Sequence, residues 1–88
     1  MAKTKKASVL NSLESVCILL DRITDEKSFE ETMPFIRFVL DSSVRRKLAN
    51  HPFREDLYAL IDGAIAYSDD VNAFSFALDE LFTAVKCL

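Results

Sequence analysis

One glycine and two prolines serve all 88 residues, where average usage is about 7% and about 5%. Sheets joined by tight turns draw on residues that accept positive φ. One glycine and three asparagines supply few such turns, so the composition favours helices with short connections over strands. Histidine occurs once, as His51. That leaves no Glu-x-x-His pairs for a di-iron bundle and no HExxH zinc helix. No serine sits in a GxSxG elbow, and glycine-rich phosphate loops and EF-hand loops are also missing. These absences read against an enzyme with a small-molecule substrate and against a metal or other cofactor.

The two cysteines, Cys17 and Cys87, follow no CxxC pattern and no metal spacing. Cys17 lies in an apolar run and reads as a small core residue. Cys87 is next to last, whereas prenylation requires the fourth position from the end. Whether the two ever pair is left open. No apolar run approaches 18 residues, and no apolar stretch follows the basic start "MAKTKK". The expectation is a soluble, cytoplasmic protein without a membrane role.

What is present is core material. Half the residues are apolar and nine are aromatic. A chain of this size buries roughly 60–65% of the surface its unfolded form exposes, enough for one modest core. Residues 1–6 read as a flexible basic tail and 7–88 as a single helical-bundle domain. The net charge of −3 and pI near 5.0 speak against a dedicated nucleic-acid binder, which usually shows a basic domain.

Apolar spacing at the helical period locates the elements. Val9, Leu13, Val16, Leu20 and Ile23 form one stripe over a first helix from about 7 to 23, with Ser8 as its N-cap. The second helix has two readings. Pro34 suits a first turn, which predicts a turn at 25–31, Thr32 as N-cap and a helix over 33–41. A short extra helix over "DSSVRRKLAN", capped by Ser42 or Ser43, then follows. Alternatively, Phe29, Met33, Ile36, Leu40, Val44 and Leu48 keep one face throughout, as in a single kinked helix over 28–49. Phe35, Phe38 and Val39 are placed beside that face, making this helix apolar almost all round and central.

A third long helix is expected over 52–67, with Phe53, Leu57, Leu60, Ile61, Ala64 and Ile65 inward. Ala59, Gly63 and Ala66 form a small ridge opposite, suited to close approach of another helix or placed there by chance. A last helix over 71–86, capped by Asp69 or Asp70, carries Val71, Phe74, Leu78, Leu81, Val85 and Leu88 inward. Phe76 falls on its outer side. The fold class is therefore all-α: a compact antiparallel bundle of four principal helices, with room for a short extra one.

The carboxylates come as neighbours in sequence, mostly at helix starts, where they satisfy free amides and the dipole. The functional expectation is a small non-enzymatic regulator or inhibitor that binds another protein, or itself as a homodimer. Arg45, Arg46, Lys47 and Phe76 are the candidate contacts. A solvated helix face is the simpler account of the basic triplet. Two further readings stand beside this one: a nucleic-acid-binding regulator using 45–47, and a structural subunit of a larger assembly. Size and all-helical build are similar to those of small inhibitors, bacteriocin-type immunity proteins and phage-encoded regulators, a likeness of fold level that specifies no family.

Overall fold

The computed structural model describes residues 5–88. The flexible tail expected at 1–6 falls mostly outside them; its last two positions, Lys5 and Lys6, already belong to the first helix. Helix α1 spans Lys5–Asp21, α2 Glu26–Phe38, α3 Arg45–Lys47, α4 Arg54–Ala66 and α5 Val71–Lys86. A π-helical segment, Val39–Val44, joins α2 to α3 without a break. Its flanking residues Phe38 and Arg45 both keep right-handed helical angles. Among the described residues there are thus four helical rods and no strand. The second rod runs from Glu26 to Lys47.

The rods pack as a closed ring. α1 lies against the second rod and α5, while α4 lies against α5 and the π-helical segment. Each rod places at least three fully buried apolar side chains in the common core. These are Val9, Leu13 and Val16 from α1; Met33, Ile36, Leu40 and Val44 from the second rod; Leu57, Ile61 and Ala64 from α4; and Phe74, Leu78, Leu81 and Val85 from α5. Full burial of a side chain of this kind contributes roughly 1.5–3 kcal/mol, so the core is shared rather than centred on one helix.

The second rod corrects the favoured sequence reading and matches its alternative. Asp25, not Thr32, is the N-cap. Its carboxylate accepts from the Ser28 amide at 2.8 Å, and the Ser28 hydroxyl accepts from the Asp25 amide at 3.0 Å, a reciprocal box. Thr32 and Pro34 lie inside α2. Pro34 has no amide to offer the Glu30 carbonyl. Both residues are exposed, so water can satisfy that carbonyl and the cost stays moderate. Nor do Ser42 and Ser43 cap a new helix, because the chain never leaves helical geometry there.

The π-helical segment explains the spacing of the stripe. Ile36, Leu40, Val44 and Leu48 lie four apart, and an α-helix would drift by about 40° at each such step. A π turn holds more residues than an α turn, so the step from Leu40 to Val44 inside the π segment drifts the opposite way and offsets part of the drift along the α-helical steps. All four are at most 2% exposed.

Two further expectations are corrected, and one open alternative is closed. Ser8 is inside α1, which already includes Lys5. Phe53 was placed inward but is 60% exposed; α4 starts one residue later, and Phe53 has non-helical angles, which takes it off the inner face. Gly63 gives no close approach within the fold, because a Cβ built there would meet nothing within 4 Å. By contrast α5 has the bounds expected for it. Asp70 caps it, accepting from the amides of Asn72 and Ala73 at 2.9 and 3.2 Å.

Candidate protein-binding surface

The basic triplet does not form one patch. Arg45 is turned toward the seam between the second rod and α4. Its Nε donates to Asp41 Oδ1 at 3.0 Å, and its terminal nitrogen is paired with Asp62 of α4. The guanidinium also lies 5.0 Å from the centre of the Tyr58 ring, a cation–π distance. The hydrogen bond that Arg45 donates to Asp62, followed by the charge of Asp62 and by the hydrogen bond to and charge of Asp41, raises the Arg45 pKa. Lys47 turns the other way, toward α1. Its Nζ donates to Ser12 Oγ at 2.7 Å and to the Ser8 carbonyl at 3.3 Å. Of the three, Arg46 is the one classed as exposed.

Phe76 is the most exposed of the large apolar side chains, at 76%. It stands on α5, whose main packing partners are α4 and α1. Among the described residues no hydrogen bond, ion pair or aromatic contact joins it to the triplet. No such contact therefore joins the candidate residues into one site.

A different surface emerges around the second rod. Of the nine aromatic side chains, Phe74 alone is fully buried, and five are more than half exposed. Two of the five, Phe35 and Phe38, are neighbours three apart on α2. The sequence reading placed them beside the inner face, and that is a correction. At about 100° per residue, Phe38 stands about 180° from Phe29 and Phe35 about 120°. With α1 and α4 as its main packing partners, the rod leaves that side uncovered. Phe38 borders an open groove of about 400 Å³ between the second rod and α4, together with Pro34, Arg37, Asp41, Asp62 and Ile65. One end of the groove is tied by Arg37, which donates to Ser68 Oγ at 3.1 Å. Ser68 in turn donates to the Ile65 carbonyl at 2.7 Å. The Arg45 ion pairs lie toward the other end. A helical wheel of one unbroken rod would have revealed Phe38; the groove itself depends on α4.

His51 Nδ1 accepts from the Phe53 amide at 3.1 Å, covering a free donor ahead of α4. Cys17 and Cys87 are free thiols. Burial, and then the charges of Asp79, Asp21 and Glu14, push the Cys17 thiol pKa up, which keeps it protonated and poorly nucleophilic. Among the described residues no group of three His, Cys, Asp or Glu side chains converges as a metal site would require. No helix among them is long and apolar enough to cross a membrane. Compared with protein-family models, curated proteins and solved structures, the chain matches none.

Proposed function

We propose that this protein acts without catalysis, by binding another protein through the aromatic outer side of α2 and the groove beside it. The observation that carries the reading is the aromatic distribution: five of nine rings more than half exposed in a chain of 88 residues. Aromatic residues are enriched at interfaces because they offer large apolar area at low entropic cost. Phe35 and Phe38, with Pro34 and Ile65 nearby, supply an apolar centre. Arg37, Asp41 and Asp62 supply a polar rim. Such a rim sets register and excludes wrong partners more than it adds affinity.

The engagement of Arg45 and Lys47 weighs for this reading over the nucleic-acid one. Of the three cations at 45–47, Arg45 is paired with Asp41 and Asp62, and Lys47 is turned away from it toward α1, so the triplet does not present one basic face. A charge-driven phosphate site needs several unspent cations.

The test begins with mass in solution by light scattering across protein concentration. A dimer that dissociates in the Phe35→Ser/Phe38→Ser double variant identifies the partner as a second copy. A monomer near 10.0 kDa directs the search to a foreign partner. It would be captured in parallel by the parent chain and by the double variant. A protein retained by the parent and lost by the variant supports the surface. Equal retention by both removes Phe35 and Phe38 from it.

A further inference from the structure

Beyond the aromatic surface, a second concavity opens at the end of the bundle where α1 begins and the 48–53 connection turns. Its volume is about 410 Å³, within the size range of small-molecule sites. Leu48, Pro52 and Leu88 give it an apolar wall. Around them stand Lys6, Lys47, Asn50 and His51. None of the described lining side chains is acidic, and the lysines Lys6 and Lys47 outweigh the main-chain carboxyl group of Leu88, the final residue, in the same lining.

Two details make this more than a charged surface. Lys47 is partly buried, yet its two hydrogen-bond partners, Ser12 Oγ and the Ser8 carbonyl, are both neutral. An ammonium carries three hydrogens. Lys47 therefore retains one further donor and an uncompensated charge beside the concavity. His51 has its tautomer set by the fold. Because Nδ1 accepts from the Phe53 amide, the neutral ring carries its proton on Nε2 and is a donor there. An ammonium with a spare hydrogen, an imidazole N–H donor, an amide and a second lysine thus border one apolar-walled space.

We propose that this concavity binds a small monocarboxylate with an apolar chain, its carboxylate beside Lys47 and His51 and its chain against Leu48, Pro52 and Leu88. Charge-assisted hydrogen bonds hold the head, and burial of the chain supplies the remaining affinity. This proposal is independent of the partner surface on α2, which lies on other residues.

The experiment is an amide-resolved NMR titration of the full chain with four probes: octanoate, octylamine, octanol and acetate. Octanoate is expected to shift the amides of Leu48, Asn50, His51 and Leu88 saturably. Octylamine keeps the chain but reverses the charge, and acetate keeps the charge but loses the chain; both are expected to bind about tenfold more weakly or worse. Asn50→Asp, a near-isosteric change at an exposed position, sets a carboxylate at the rim and is expected to weaken octanoate to a similar degree. Lys47→Gln should do the same, and Asn50→Asp covers the case in which that variant fails to fold. Equal binding of octanoate, octanol and octylamine would overturn the proposal. So would shifts centred on Phe35 and Phe38, an unchanged affinity in Asn50→Asp, or no saturable shift with octanoate.

Discussion

Arg45 and Asp62 form an ion pair across the seam between the second rod and α4, and the Tyr58 hydroxyl donates to the Arg45 carbonyl at 3.3 Å on the same side. A residue that reads from sequence as part of a basic patch is thus a clasp between two helices. The pair is not deeply buried, with the two side chains 27% and 64% exposed. Exposed pairs contribute about 0–1 kcal/mol. A double-mutant cycle with Arg45→Met and Asp62→Asn is expected to give a coupling in that range, shrinking in high salt. A coupling of several kcal/mol by denaturant unfolding would contradict this geometry.

Gly63→Ala is expected to stabilise the protein. The residue sits inside α4 without positive φ, and an added methyl meets nothing within 4 Å. Glycine in a helix interior costs roughly 0.5–1 kcal/mol against alanine. For a domain of this size, a gain of 1 kcal/mol corresponds to about 4–8 °C in Tm. A loss of stability, or a change of oligomeric state, would show that the small ridge meets a second chain.

Pro34→Ala restores an amide for the Glu30 carbonyl and removes the ring from the helix interior. Proline there costs about 3 kcal/mol in unconstrained helices. Because Pro34 and Glu30 face water, the expected gain is a fraction of that, about 1 kcal/mol. Thermal unfolding measures it directly. A destabilised variant would mean that the proline is needed for the course of the rod.

The Asp25 cap predicts a defined acid response. Hydrogen bonds from the Ser28 amide and then the Ser28 hydroxyl lower the Asp25 pKa from its ordinary value of 3.8. A group depressed in this way contributes stability above its unfolded pKa and loses it as pH falls through the folded one. Asparagine caps about as well but does not titrate. Any Tm advantage of the parent over Asp25→Asn should therefore be present at pH 6 and disappear below 3.8. A difference independent of pH would assign the cap's effect to shape alone.

Phe76→Ala and Phe38→Ala remove side chains that are 76% and 62% exposed. Stability changes within about 0.5 kcal/mol are expected for both. Leu40→Ala, at 0% exposure, should instead cost 2–5 kcal/mol. If Phe38→Ala behaves like Leu40→Ala, the aromatic side of α2 is packing surface and not a binding face.

The periodic stripes of α1 and α5 were legible in the sequence because each is an uninterrupted apolar pattern at one period, with Asp70 an identifiable cap for α5. The second rod was harder. Pro34 argued for a turn at 25–31 and a helix start at Thr32, and that local preference was outweighed by a capping box at Asp25 and Ser28 together with burial along the whole stripe. The basic triplet is legible as residue type, and type does not say where a long side chain turns. Arg45 found Asp62 on α4, and Lys47 found Ser12 on α1. Neither partner is near in sequence, so neither pairing could be read from spacing.

By itself the sequence determined the class of fold and most of the core. Backbone propensity and side-chain periodicity act over one or two turns, and those are written locally. The tertiary structure alone decided which aromatics stay in water, which cations are spent inside the fold and where the concavities open. Each of these depends on how much of a helix its neighbours can cover, a property of packed surfaces that no single segment contains.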